Sequence, residues 1–104
     1  MTIDRKTVSK GDTIYVAFAG CNYSGPYAYV RGGTVVAAGG DGSLVYQTEA
    51  GHVDSVPAWT SSTVHATEAE AWSSAADQLA AIADQVVTEV AECRKRAAGQ
   101  GVPA

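Results

Sequence analysis

TEAEAWSSAADQLAAIADQVVTEVAECRKRAA, Thr67 to Ala98, reads as one uninterrupted amphipathic helix, and the rest of the chain is organised around it. Its start is marked by Thr67, whose hydroxyl can accept from the N3 backbone N–H at Glu70. Glu70 can reach back to the cap, and Glu68 and Glu70 sit at the positive end of the helix dipole. No Gly or Pro interrupts the segment before Gly99, and Arg94-Lys95-Arg96 supplies cations at the carbonyl end. Thirty residues at about 1.5 Å each make a rod of about 45 Å. The roughly sixty residues that precede it form a body only about 25–30 Å across, so part of the rod must project or find cover.

The apolar positions of that helix form a seam. Trp72, Ala76, Leu79, Ala83, Val86, Val90, Cys93 and Ala97 alternate in steps of four and three, a heptad pattern held for more than three heptads. In this register Glu89 falls at g and Arg94 at the next e, the pairing a parallel two-stranded coil uses. Ala75, Ala80, Ile82 and Val87 widen the stripe in the first half, which suits packing on a sheet. The expected packing or oligomer face is therefore Trp72, Leu79, Ile82, Val86, Val90 and Cys93. It can serve docking on the chain's own β part, self-association, or both.

Upstream the signals are those of short strands. Lys10-Gly11-Asp12 is a turn, and Thr13 to Ala19 alternates, with Ile14, Val16 and Phe18 on one face and Thr13, Tyr15 and Ala17 on the other. Gly20 to Pro26 has loop composition. Tyr27 to Ala37 reads as a second strand, with Gly32-Gly33 expected as a bulge or sharp bend. Gly39-Gly40-Asp41-Gly42 is the strongest hairpin signal and leads into a third strand at Leu44–Gln47. Val53 to Pro57 is a short extended piece, and Thr60 to His65 a last strand that delivers the chain to Thr67. The expected class is α+β: a small antiparallel barrel of four to five strands, about residues 10–66, then the helix, about 67–98, in one domain spanning 1–104.

The Lys-Gly-Asp turn, the bent second strand, the Gly-rich hairpin and a closing strand that runs into Thr-Glu-Ala-Glu-Ala together resemble the small SH3-like barrels. These include KOW-type modules and short bacterial and phage proteins that append such a helix. The resemblance covers about Lys10 to Leu79. It implies binding of nucleic acid or protein rather than catalysis. The chain departs from the nucleic-acid-binding members in its loops, because Arg31 is the only Lys or Arg between Gly11 and Arg94.

Composition narrows the functional classes. The 104 residues carry a formal net charge of -4, which repels nucleic acid and anionic lipid. Met1 to Lys6 is not followed by the apolar run of a secretory signal, and no run approaches a membrane span, so the expected compartment is the cytoplasm. Cys21 and Cys93 stand far apart without a CxxC spacing. His52 and His65 lie in no nucleophile motif and at no metal-ligand spacing, and no phosphate-binding loop is present: Gly20 and Gly25 have the first spacing of one, but Pro26 stands where it needs Lys. No catalytic residue, cofactor or metal is assigned, and the chain is expected not to be an enzyme. The feature above background is aromatic: Tyr15, Tyr27 and Tyr29 on neighbouring strands, Tyr23 between them and Arg31 beside them form a candidate binding face. The leading expectation is an interaction or assembly module that forms a homo-oligomer through the helix, with a protein partner next. A nucleic-acid-binding barrel is the alternative, disfavoured by charge.

Overall fold

A computed structural model describes residues 2–101; residues 1 and 102–104 of the expected domain lie outside it. Six strands form one antiparallel sheet: β1 (Thr2–Ile3), β2 (Thr13–Asn22), β3 (Gly25–Ala38), β4 (Leu44–Thr48), β5 (Val53–Val56) and β6 (Thr63–His65). Helix α1 (Glu68–Gly99) follows, and a single 3-10 turn, Arg5–Thr7, links β1 to β2. The order across the sheet is β1-β6-β2-β3-β4-β5. Thus β2 to β5 make a meander and β6 returns to pair with β2. The sheet is open, with β1 and β5 at its edges, so six strands in an open sheet replace the expected four- to five-stranded closed barrel.

Each boundary has a local cause. The helix starts where expected: Thr67 is extended at φ -129° and its hydroxyl accepts from Glu70 N–H at 3.2 Å. The β3–β4 hairpin closes through Gly39, whose N–H donates to the Ser43 carbonyl at 2.9 Å, with Gly42 at φ +95°. Two expectations change. Gly20 to Pro26 is not an open loop: β2 runs on to Asn22 and β3 resumes at Gly25. Asn22 Oδ1 accepts from Ser24 N–H at 2.9 Å and Gly25 takes φ +117°, which closes a two-residue turn at Tyr23-Ser24. The bulge falls between Val35 and Ala37, not at Gly32-Gly33. The paired glycines are there for closeness: a Cβ on Gly33 would sit 2.5 Å from the Gln47 carbonyl oxygen, and one on Gly32 2.8 Å from the Tyr15 ring.

The sheet is covered on both faces. One face carries the core, with Ile14, Val16, Val35, Leu44, Tyr46, Val56 and Val64 all buried and Val8 closing over them. Arg5 holds this side shut. Its guanidinium donates to the Ala58 carbonyl at 2.6 Å and to Thr60 Oγ1 at 3.0 Å, pinning the N-terminal segment to the β5–β6 connection. The other face receives the first half of α1 through Ala17, Ala71 and Ala75, all essentially buried, flanked by Tyr15, Ala28 and Val30. Alanine on both sides lets helix and sheet approach closely.

Polar groups fix where the helix lands. Gln78 Oε1 accepts from the Ala19 N–H at 3.1 Å, on a part of the β2 edge that β6 does not reach, while its Nε2 donates to Thr63 Oγ1 and Ser74 Oγ, each at 3.3 Å. Thr63 Oγ1 also lies 2.8 Å from Ser74 Oγ and 2.8 Å from Nε2 of the buried His65. Replacing Thr63 with the isosteric Val is expected to cost about 1–3 kcal/mol, because three groups lose a shared partner while the shape is kept. Urea unfolding reads this directly. A midpoint unchanged from wild type would mean the network does not hold the helix.

Candidate functional site

The six residues of the expected helix face divide into two groups. The sheet sits against Ala71, Ala75 and Gln78, and at about 100° per residue each of Trp72, Ala76 and Leu79 stands one step around the helix from them. Leu79 and Ile82 are half-buried beside the sheet, whereas Trp72 remains 48% exposed. Beyond Ile82 no helix residue is buried, and of the sheet the tip of β2 at Cys21 borders the helix there. The molecule measures 61 × 25 × 24 Å, so one long axis is the helix and the other two are the width of the β part.

On the projecting half the apolar residues are open to solvent. Val86 is 54% exposed and Val90 44%, with Val87 at 68% and Cys93 exposed alongside. Ile82, Val86, Val90 and Cys93, with Cys21 from the tip of β2, line an apolar groove of about 520 Å³ edged by Gln85, Glu89 and Arg94. Both thiols are free. Arg96 pairs with Glu92 at 3.5 Å one turn back along the helix. Glu89 and Arg94 make no ion pair among the described residues.

The aromatic residues do not share one face. The expected face groups Tyr15, Tyr27 and Tyr29 across neighbouring strands. The register instead pairs Ala17 with Val30 and Phe18 with Tyr29. Tyr15 therefore lies on the helix side, half-buried and flat against Gly32. Tyr27, Tyr29 and Arg31 fall on the opposite side, in line with Gly33 and the buried Val35. Tyr23 stands fully exposed at the hairpin tip.

What gathers on that second side is an aromatic cluster around Phe18. Its ring centroid lies 5.6 Å from that of Tyr29 and 6.1 Å from that of Tyr27, with both pairs tilted. The Arg31 guanidinium sits 4.5 Å from the Tyr29 centroid and also forms an ion pair with Asp54. That hydrogen bond pushes the Arg31 pKa up against the opposing effect of desolvation. Burial works to raise the Asp54 carboxyl, yet Arg31, the Ser55 N–H and the Tyr46 hydroxyl together hold it below the ordinary carboxylate range. Phe18 and Tyr29 line a shallow recess closed on its far side by the 85% exposed Trp59. Trp59 has no signature in the sequence, because a lone aromatic in a connection carries no periodicity.

His52 lies in an exposed turn, and His65 is buried within the helix-anchoring network. Among the described residues no three His, Cys, Asp or Glu side chains gather as a metal site would require. No helix among them is long and apolar enough to cross a membrane. No family model, curated protein or solved structure matches the chain.

Proposed function

We propose that this protein is a non-enzymatic interaction and assembly module that self-associates through the distal half of α1 and leaves its sheet free. One observation carries the proposal: the apolar seam continues past the turns docked at Ala71, Ala75 and Gln78, with Val86 and Val90 about half exposed and Cys93 open beside them. Burying such side chains is worth roughly 1.5–3 kcal/mol each relative to leaving them in water. A second helix offering the same stripe supplies that cover. Sedimentation velocity and light scattering test it, with a dimer or larger species expected at micromolar concentration. A monomer throughout that range would overturn it.

The proposal includes an SH3-like relationship for the β part. Its support is the meander of β2 to β5, the return of β6 to β2, and a core that fills one face of the sheet. A KOW-like role in binding nucleic acid has less support, because Arg31, the one Lys or Arg between Gly11 and Arg94, is already engaged by Asp54 and Tyr29.

A further inference from the structure

We infer that the second copy lies parallel and in register along α1, with Glu89 of each helix reaching the partner's Arg94. This rests on the self-association proposed above and specifies its geometry. With Val86 and Cys93 at d and Val90 at a, Glu89 occupies g and Arg94 the following e, and g pairs with the partner's next e only when two helices run parallel and in register. Both residues edge the apolar groove, and neither makes an ion pair among the described residues. Arg96, the other cation near the seam, is occupied by Glu92.

Reversing the partner removes the match. An antiparallel pair would set the distal Glu89 and Arg94 against the e and g positions of the proximal half, which are Ser73, Ala75, Ala80 and Ile82 and carry no charge. The docked sheets lie to one side of the seam, with Cys21 at the tip of β2 bordering the groove. Each sheet docks on the Ala71, Ala75 and Gln78 face, about 100° around the helix from Trp72 and Ala76. A two-fold axis running between parallel helices then sends the two sheets to opposite sides of the pair. Trp72, half exposed in the single chain, comes to lie at the seam.

Charge exchange tests this without disturbing the fold, since both positions are exposed. Glu89→Arg alone sets Arg against Arg twice, and Arg94→Glu alone sets Glu against Glu twice; each is expected to weaken self-association about tenfold. Mixing the two variants restores both opposite-charge pairs, so the heterodimer is expected to outweigh either homodimer by at least tenfold in native mass spectrometry. A short bismaleimide added to the Cys21→Ser variant should join Cys93 to the partner's Cys93, whereas antiparallel helices hold these thiols at opposite ends. A wild-type dimer with no heterodimer preference and no cross-link would overturn the parallel register and leave self-association standing. A wild-type monomer would remove both.

Discussion

Replacing Tyr46 with alanine is expected to lower folding stability by about 3–5 kcal/mol, the range for emptying a large aromatic site in a packed core. Tyr46 is 1% exposed on β4, surrounded by the apolar side chains of β2, β3, β5 and β6. Its ring also lies where a Cβ on Gly33 would have to go, 2.8 Å away. The ring therefore fills a space shaped from both strands, and collapse cannot refill it. For a domain of this size the loss is a large part of the whole stability, so the variant should be substantially unfolded in dilute urea.

The conservative change separates packing from polarity. Tyr46→Phe removes only the hydroxyl, which donates to Asp54 Oδ2 at 3.3 Å, and should cost about 1 kcal/mol or less. Burial, with Asp54 next to it, pushes the Tyr46 phenol up, so it stays protonated throughout the working range and remains a donor. Asp54 titrates instead. Its carboxyl is held below its unfolded value, so its contribution is complete above about pH 4 and is lost as pH falls through the lowered folded value. The pair with Arg31 is substantially exposed and contributes only a fraction of a kcal/mol. Chemical denaturation of wild type and both variants checks all of this; equal stability of Tyr46→Ala and Tyr46→Phe would show that the ring does not fill the core.

The second large effect concerns assembly rather than folding. Changing Val86 and Val90 together to Glu is expected to weaken self-association by a hundredfold or more while leaving the chain folded. Two adjacent positions of the seam would then bring like charges from both helices into the region meant to be dry. In the single chain both sites are about half exposed, and substitutions at such positions usually move stability by no more than about 0.5 kcal/mol. Glu also forms helix more readily than Val, so helicity should hold. Circular dichroism and sedimentation on the same sample separate the outcomes. A double variant that still forms the wild-type species would exclude this face as the interface.

The helix was legible because its signals are local: a Thr cap, acids in the first turn, and no Gly or Pro before the end. The Gly39 to Gly42 hairpin was legible for the same reason. The phase of β3 was not, because Tyr27 to Val35 alternates acceptably in either direction and only pairing with β2 decides which residues face the helix. Strand β1 is two residues long and is defined by its partner β6, so no periodicity could announce it. Arg5 reads as an ordinary surface cation until the chain returns Ala58 and Thr60 to its side. His65 falls at a strand end, as the sequence suggests, but its burial follows from the helix closing over β6. The candidate binding face divided for the same reason that β3 was misphased: Tyr15 and Tyr29 are two strands' worth of alternation, and one register step sends them to opposite sides.

The helix docks by alanine and a few hydrogen bonds at one end, whereas its outer turns carry no buried residue among those described. Nucleation is settled by the anchored turns, so the outer turns persist only by propagation, each adding little more than it loses to chain freedom. In a solitary molecule those turns should unwind and rewind far more often than the anchored ones, exposing their amides to exchange and the Arg94-Lys95-Arg96 cluster to trypsin. Association and helical order in the last four turns are then a single equilibrium, and dilution alone would loosen the tip while the sheet stays intact.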